Sequence, residues 1–320
     1  MEKLIDRRYA VGVDLGGTFV KFALVADDGD VLYSNKLKIG SACKRDDILK
    51  TLHDSIRLVL NEAERLGVCV SGIGIGSPGI VCDGVVMGGA DNLDGWENVP
   101  LQTIFSEAFD LPVFVDNDAN VVGLAEVSFG AAKGCTDVVF ITVGTGIGGA
   151  IVVNGDLYGG FKNRGGELGH IAVVHEGAEC NCGGRGCLEV YASTTALIQR
   201  YCSCSGRPAE EVDGQYVVQK YLEREEIAVQ CLEEHTNYLG HGIAAFVNIF
   251  APQKIVIGGG ISEAGQFYID LISKSTFRYA MKDCAVNTEV VGAVLGNQAG
   301  SLGAASLVFH SKNVKLKKVS

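Results

Sequence analysis

Several protein classes are excluded by what this sequence lacks. Positive charge does not predominate: 27 Lys and Arg stand against 38 Asp and Glu, for a formal net charge of −11. Phosphate-rich surfaces would be repelled, so nucleic acid and anionic membrane are disfavoured as partners. Long apolar runs are missing too. The uncharged stretch 138–155 is too short and too glycine-rich to span a bilayer. Near the N-terminus, Asp14 interrupts the apolar stretch that a signal peptide would need. No G-x-x-x-x-G-K-[ST] occurs, which excludes a P-loop. Proline is scarce, 5 residues against 43 glycines, so glycine carries the punctuation of the chain.

With 320 residues, 47% hydrophobic and 20% charged, the chain can bury the cores of two domains or one bilobal unit. Its 11 cysteines are odd in number and spread along the whole length, the usage of reduced thiols in a cytoplasmic protein. Cys202 and Cys204 have no partner nearby in sequence and read as ordinary thiols, and the Lys-rich tail, Lys312, Lys315, Lys317 and Lys318, as a solvated terminus. Residues 9–25 read as strand, glycine turn, strand, with a third strand after Asp28-Gly29. A helix is expected over 46–67, where Ile48, Leu52, Ile56, Val59 and Ala63 share a face and Gly67 sits at the C-cap. Strands are expected at 68–76, 112–115, 137–143, 150–153 and 254–257, and helices at 119–129 and 226–250. The pattern is α/β, with a hairpin opening each half that a purely βαβ-wound chain would not show.

His170, Cys180, Cys182 and Cys187 form H-x9-C-x-C-x4-C in a glycine-rich segment. Three thiolates and one imidazole complete a tetrahedral shell, the closed coordination of a structural Zn²⁺. The intervening glycines let a short loop fold back so that the sulfurs converge. Glu167 and Glu189 bracket the segment. Four softer ligands fill the shell, so these carboxylates are left to face something else. The competing reading is a buried cysteine cluster with a core histidine.

Three glycine clusters stand at strand ends: Asp14-Leu15-Gly16-Gly17-Thr18, Gly144-Thr145-Gly146-Ile147-Gly148-Gly149 and Gly258-Gly259-Gly260-Ile261. Turns of this kind aim backbone N–H groups at phosphate. Gly144, Gly146 and Gly149 match G-x-G-x-x-G, but β-branched Ile151, Val152 and Val153 follow where a Rossmann site needs a helix. Asp116-Asn117-Asp118-Ala119-Asn120 follows a strand and precedes a helix. Asp118 could take a proton from a substrate hydroxyl and Asn117 could orient that substrate, while helix capping is the plainer role for both.

In this order, with Glu167-Leu168-Gly169-His170, the cysteine segment and Asn92-Leu93-Asp94-Gly95-Trp96, these motifs resemble the ROK family of repressors, open reading frames and sugar kinases, most of all its bacterial glucokinases. The resemblance covers nearly the whole chain and is most specific in the zinc segment. It implies a two-domain actin/hexokinase-like (ribonuclease H-like) ATPase fold with ATP and sugar in the cleft. Residues 1–118 plus about 300–320 would form the small domain, and 119–299 the large one. It implies that Asp14 assists Mg²⁺, and that Gly16, Gly17, Thr18, Lys21, Gly144, Thr145, Gly146, Gly148 and Gly149 hold the ATP phosphates. Gly259 would border the adenosine. Gly79, Asn92, Asn117, Asp118, Glu167, His170 and Glu189 would contact the hexose, with Asp118 the base for phosphorylation at the 6-hydroxyl. Glucose is the expected substrate, ahead of N-acetylmannosamine, N-acetylglucosamine, allose and fructose. A homodimer is expected. The family's repressors carry a winged helix-turn-helix ahead of the first glycine turn, and here 13 residues precede Asp14.

Overall fold

The structure, a computed structural model, describes residues 7–40, 44–90 and 93–311. It comprises two compact units: Met1–Gly134 with Gly159–Gly165 and Leu295–Ser320 (unit 1), and Cys135–Tyr158 with Gly166–Val294 (unit 2).

Unit 1 is built on five strands in the order β3-β2-β1-β4-β7. β1 (Tyr9–Leu15), β2 (Phe19–Ala26) and β3 (Val31–Lys38) are antiparallel neighbours, while β4 (Val70–Ser77) and β7 (Val113–Asn117) run parallel to β1. A small hairpin, β5 (Ile80–Cys82) and β6 (Val85–Gly88), follows β4. Alternation along β1 divides its side chains between two faces. Val11, Val13 and Leu15 join the core with Ile48, Leu52 and Ile56 of α1 (Arg45–Leu66) and Phe105 of α2 (Leu101–Phe109). Gly67 caps α1 in the left-handed region, φ 69°, as its place in the sequence predicts.

The opposite face holds Ala10 and Ala23, against Ala125 of α3 (Asp118–Ser128) and Leu302, Ala305 and Val308 of α10 (Ala299–His310). Here helix lies on bare strand backbone. A side chain on Gly12 would collide with the Ser301 carbonyl, and one on Gly74 with the Ala304 carbonyl. α3 and α10 approach as closely, since a side chain on Gly303 would strike the Val121 carbonyl. The boundary expected after residue 118 therefore moves: α3 packs within unit 1, which the chain leaves after Gly134.

Unit 2 repeats the topology, with strand order β10-β9-β8-β11-β12. β8 (Val138–Val143), β9 (Ile147–Val153) and β10 (Asp156–Leu157) are antiparallel, and β11 (Lys254–Gly258) and β12 (Glu289–Gly292) lie parallel to β8. Its helices are α4 (Glu189–Ala192), α5 (Thr194–Ser205), α6 (Gly214–Leu222), α7 (Glu226–Phe250), α8 (Gln266–Tyr279) and α9 (Lys282–Ala285). α7 buries Leu239, Ile243, Phe246 and Val247 against Ile141 and Ile257 of the sheet. Cys204 is less isolated than its sequence suggests, because its thiol lies near enough to that of Cys231 on α7 to help raise it. Among the described residues ten cysteines are free, and no helix is long and apolar enough to cross a membrane.

Candidate active site

In unit 1 the candidate residues gather at the carboxyl ends of β1, β4 and β7. The turn after β1 exposes Gly17 and Thr18, and the Gly16 N–H closes it on the Phe19 carbonyl at 3.0 Å. Asp14 pairs in register with Lys21 across the hairpin. Burial pushes the Asp14 carboxyl up to about 6, Lys21 pulls it back, and Asp118 pushes it further up. Asp14 and Asp118 thus lie in one another's field. The first turn of α10 closes on the Asp14 carboxylate, with which any side chain on Gly300 would collide. Lys21 Nζ reaches Asn297 Oδ1, just before that helix, at 3.4 Å.

At the end of β7 the structure assigns the capping role to Asn117. Its Oδ1 accepts the Ala119 N–H at 2.9 Å and the Asn120 N–H at 3.3 Å, satisfying two orphan donors of α3. Its Nδ2 donates to the Gly79 carbonyl at 3.0 Å. Gly79 has φ +95°, and a Cβ there would strike within 2.5 Å of the Gly88 carbonyl oxygen. Asp116 Oδ1 accepts from Asn117 N–H at 2.7 Å and from Asn120 Nδ2 at 2.8 Å. Asp118, half-buried, is relieved of capping. Its Oδ1 accepts a local hydrogen bond from Ala119 N–H at 2.9 Å. Burial raises its carboxyl above the ordinary aspartate range, against hydrogen bonds from Ala119 and Asn117 that lower it. Asn92 lies outside the described residues.

In unit 2 the second glycine turn is shorter than its sequence suggests. Gly144 N–H donates to the Gly146 carbonyl at 2.9 Å, whereas Gly148 and Gly149 are strand residues of β9, paired with Thr142 and Ile141. Packing accounts for Gly149, since a Cβ there would come within 2.7 Å of the Phe140 carbonyl oxygen. The Gly144 and Thr145 carbonyls accept from Thr194 N–H (2.9 Å) and Thr195 Oγ1 (2.8 Å), which fixes the turn to the start of α5. Gly259, at φ +93°, brings the end of β11 onto the Val143 carbonyl, an approach that any side chain would block.

Beside these turns opens a cavity of about 660 Å³, lined among others by Thr145, Thr195, Asp213, Gln215, Gln219 and Glu263. That volume suits a nucleoside-sized ligand. Apart from Thr145, none of these six residues was picked out from the sequence. They are ordinary polar side chains on α5, α6 and a short turn, and no spacing marks them. The helix N-caps Ser193 and Asp213 would have been the nearest signal.

His170, Cys180, Cys182 and Cys187 do converge, with all four ligand atoms within 4.8 Å of one another. His170 Nδ1 lies 3.6 Å from Cys180 Sγ, and Cys182 Sγ lies 3.6 Å from Cys187 Sγ. The ligand edges of a zinc–thiolate tetrahedron are about 3.7 Å, so the donor set fits Zn²⁺. Gly183 (φ 86°) and Gly186 (φ 76°) supply the left-handed turns that fold the loop back. Burial and the neighbouring sulfurs push the Cys187 thiol up, while Gly184 N–H lowers Cys182, so a cation is what would hold all three as thiolates. Glu167 is exposed at the head of the short 3-10 turn Leu168–His170, and half-buried Glu189 heads α4.

The sequence profile of the ROK family matches residues 10–311. A glucokinase of Thermotoga maritima is 34% identical over 312 residues, covering 93% of this chain and 96% of the relative. A xylose repressor of Caldicellulosiruptor bescii is 30% identical over 315 residues, covering 93% of this chain and 77% of the repressor. Among solved structures, a ROK family glucokinase from Streptomyces griseus, in complex with glucose and AMPPNP, superposes with a TM-score of 0.78 at 30% identity, covering 95% of this chain and 100% of that one. By profile, sequence and structure, this chain belongs to the ROK family.

Proposed function

We propose that this protein is an ATP-dependent sugar kinase that phosphorylates a hexose at the 6-hydroxyl, with glucose the leading substrate. The observation that carries the reading is Asp118: a half-buried carboxylate at the end of β7, spared from capping by Asn117 and coupled to Asp14. The likeness to glucokinases, one of them solved with glucose and AMPPNP, supports both substrates.

Asp118 accepts the hydroxyl proton as the new O–P bond forms. Burial makes it a stronger base than a free aspartate, yet still far weaker than an alkoxide. It cannot ionise the sugar in advance, so alignment and electrostatics supply most of the rate. Gly16 and Gly144 N–H close their turns, so the N–H groups of Thr18, Thr145 and Gly146, with Lys21, hold phosphate oxygens, and the unit 2 cavity takes the nucleoside. Asp14, buried enough to resist ionisation alone, is suited to a cation partner. Mg²⁺ bound there would neutralise charge on the transferring phosphoryl group. Gly79, Asn117, Glu167, His170 and Glu189 complete the sugar contacts. His170 faces the sulfurs through Nδ1, which leaves Nε2 for the hexose.

In this reading Zn²⁺ is structural, held by His170, Cys180, Cys182 and Cys187. Family likeness supports a homodimer, and the free thiols fit a cytoplasmic setting. A sugar-sensing regulator is the second reading, favoured by the similarity to the xylose repressor. The Asp118–Asp14 pair tells against it, since sensing a sugar needs no proton acceptor at the hydroxyl.

A coupled ADP-release assay over a panel of hexoses and their N-acetyl derivatives decides between them. Release stimulated by one sugar confirms a kinase and names its substrate. Sugar binding with no release by any of them would establish the regulator.

A further inference from the structure

Glu126 is a carboxylate in an apolar helix face. Its neighbours on α3 include Val121, Leu124, Ala125 and Val127, all buried, and Glu126 itself is 0% exposed. A carboxylate in such a place is costly unless its oxygens are hydrogen-bonded. Both are. Oε2 accepts the Ala131 N–H at 2.8 Å, and Oε1 accepts the Leu295 N–H at 3.0 Å. The two donors are 164 residues apart in sequence, counting from 131 to 295, and both belong to unit 1. They stand near the places where the chain first leaves unit 1, after Gly134, and last re-enters it, at Leu295.

Each side of this contact leads to a candidate catalytic group. α3 begins with Asp118. The segment anchored at Leu295 continues through Asn297, which receives Lys21 Nζ at 3.4 Å, and into the first turn of α10, where Gly300 leaves room only for the Asp14 carboxylate. A buried apolar residue at 126 would pack α3 equally well but could not fix the height of the 295–300 segment, because apolar contacts carry no direction.

We infer that Glu126 is a positioning residue for phosphoryl transfer, setting the separation of Asp118 from Asp14 and Lys21 through its bonds to Ala131 and Leu295. The inference rests on the kinase reading and deepens it. Transfer is sensitive to placement, a misplacement of about 1 Å costing up to about a hundredfold in rate.

The test is steady-state kinetics of Glu126→Gln with the hexose that the wild type phosphorylates. The amide keeps the shape but presents an NH₂ to one of the two backbone N–H groups, so one bond is replaced by an opposition of donors. The expected result is a kcat lower by about tenfold or more, a KM for ATP within about twofold of wild type, and a raised Mg²⁺ concentration for half-maximal rate. A residue that merely stabilised the fold would lower the melting temperature and leave that split unmoved in the surviving folded fraction. Should Glu126→Gln not fold, Leu295→Pro removes the N–H donor along with the partly buried Leu295 side chain, leaves the carboxylate and the Ala131 bond in place, and is expected to show the same split. Wild-type kcat in whichever variant folds overturns the inference, and so does a kcat and KM that change together. If the wild type phosphorylates no sugar, the kinase reading itself fails, an outcome separate from either.

Discussion

The Glu189 carboxylate accepts the Ile147 N–H at 2.8 Å through Oε2. Glu189 follows Cys187 by two residues, and Ile147 follows the Gly144–Gly146 turn directly, so one hydrogen bond joins the cysteine segment to the candidate phosphate turn. The fit is tight, because any side chain on Gly146 would collide with that same oxygen. From the sequence, losing the metal should weaken sugar binding and spare ATP, whose turns lie far off along the chain. The contact removes that separation.

Metal analysis should find about one Zn²⁺ per chain, as a single closed Cys3His site requires. Cys182→Ser should lose it, since a hydroxyl replaces a thiolate poorly as a zinc ligand. The KM values for hexose and for ATP should then both rise, the second through Glu189 and Ile147. Wild-type protein free of metal yet kinetically normal would count against the site, and an unchanged KM for ATP in the variant against the coupling.

Gly146→Ala tests the same contact without touching the metal. The added methyl must displace the Glu189 carboxylate, the flexible end of its side chain, and with it the bond to Ile147. The zinc content should stay normal while both KM values rise. A variant with wild-type kinetics would show that the turn tolerates the displacement.

Asp118→Asn keeps the size of the side chain but cannot accept the hydroxyl proton. The kcat should fall by roughly 10²-fold or more, and sugar affinity, measured by calorimetry, should change far less. Retention of most of the kcat would remove Asp118 from the role of base.

Asp14 makes the pH dependence specific. Its carboxyl rises from 3.8 to about 6, chiefly by burial, so the folded protein holds this proton more tightly than the unfolded chain does. The sign follows from linkage. Its contribution to stability is fully present below pH 3.8 and is lost as pH rises through about 6. The loss amounts to up to about 3 kcal/mol in metal-free protein. Metal-free Asp14→Asn should therefore unfold at higher temperature than wild type at mildly alkaline pH, with the gap closing in acid. If Asp14 holds Mg²⁺ as proposed, activity needs its ionised form, so kcat should fall below about pH 6, and added Mg²⁺ should move that limb to lower pH. An acid limb indifferent to Mg²⁺ would separate Asp14 from the metal.

What could be read beforehand was local. The helical face of Ile48, Leu52 and Ile56 with its Gly67 cap, the hairpin at Gly16–Thr18 and the limits of α7 all follow from short-range periodicity and turn chemistry. The convergence of His170, Cys180, Cys182 and Cys187 was legible because a metal-site pattern sets rare residue types at close spacing. The division of labour between Asn117 and Asp118 was not, since both residue types cap helices well and only the backbone geometry chooses between them. That Gly148 and Gly149 lie in a strand was not legible either: a glycine wanted for close packing, as Gly149 is, looks the same in sequence as one wanted for a turn. Glu126 could have been noticed as the one charge among Val121, Leu124, Ala125 and Val127, but its partner at Leu295 is visible only in the folded chain.

The seating of α10 on the bare backbone of Gly12 and Gly74 also sets an order of assembly during synthesis. Domains generally fold as units while the chain emerges, N-terminal parts first. Unit 1 begins to emerge first, yet the helix that covers Ala10 and Ala23 leaves the ribosome only after every segment of unit 2. Unit 2 is therefore complete before unit 1, although unit 1 started earlier. A nascent chain halted short of Ala299 carries one finished unit beside one whose small-residue face stays open to water, and proteases find such open states first.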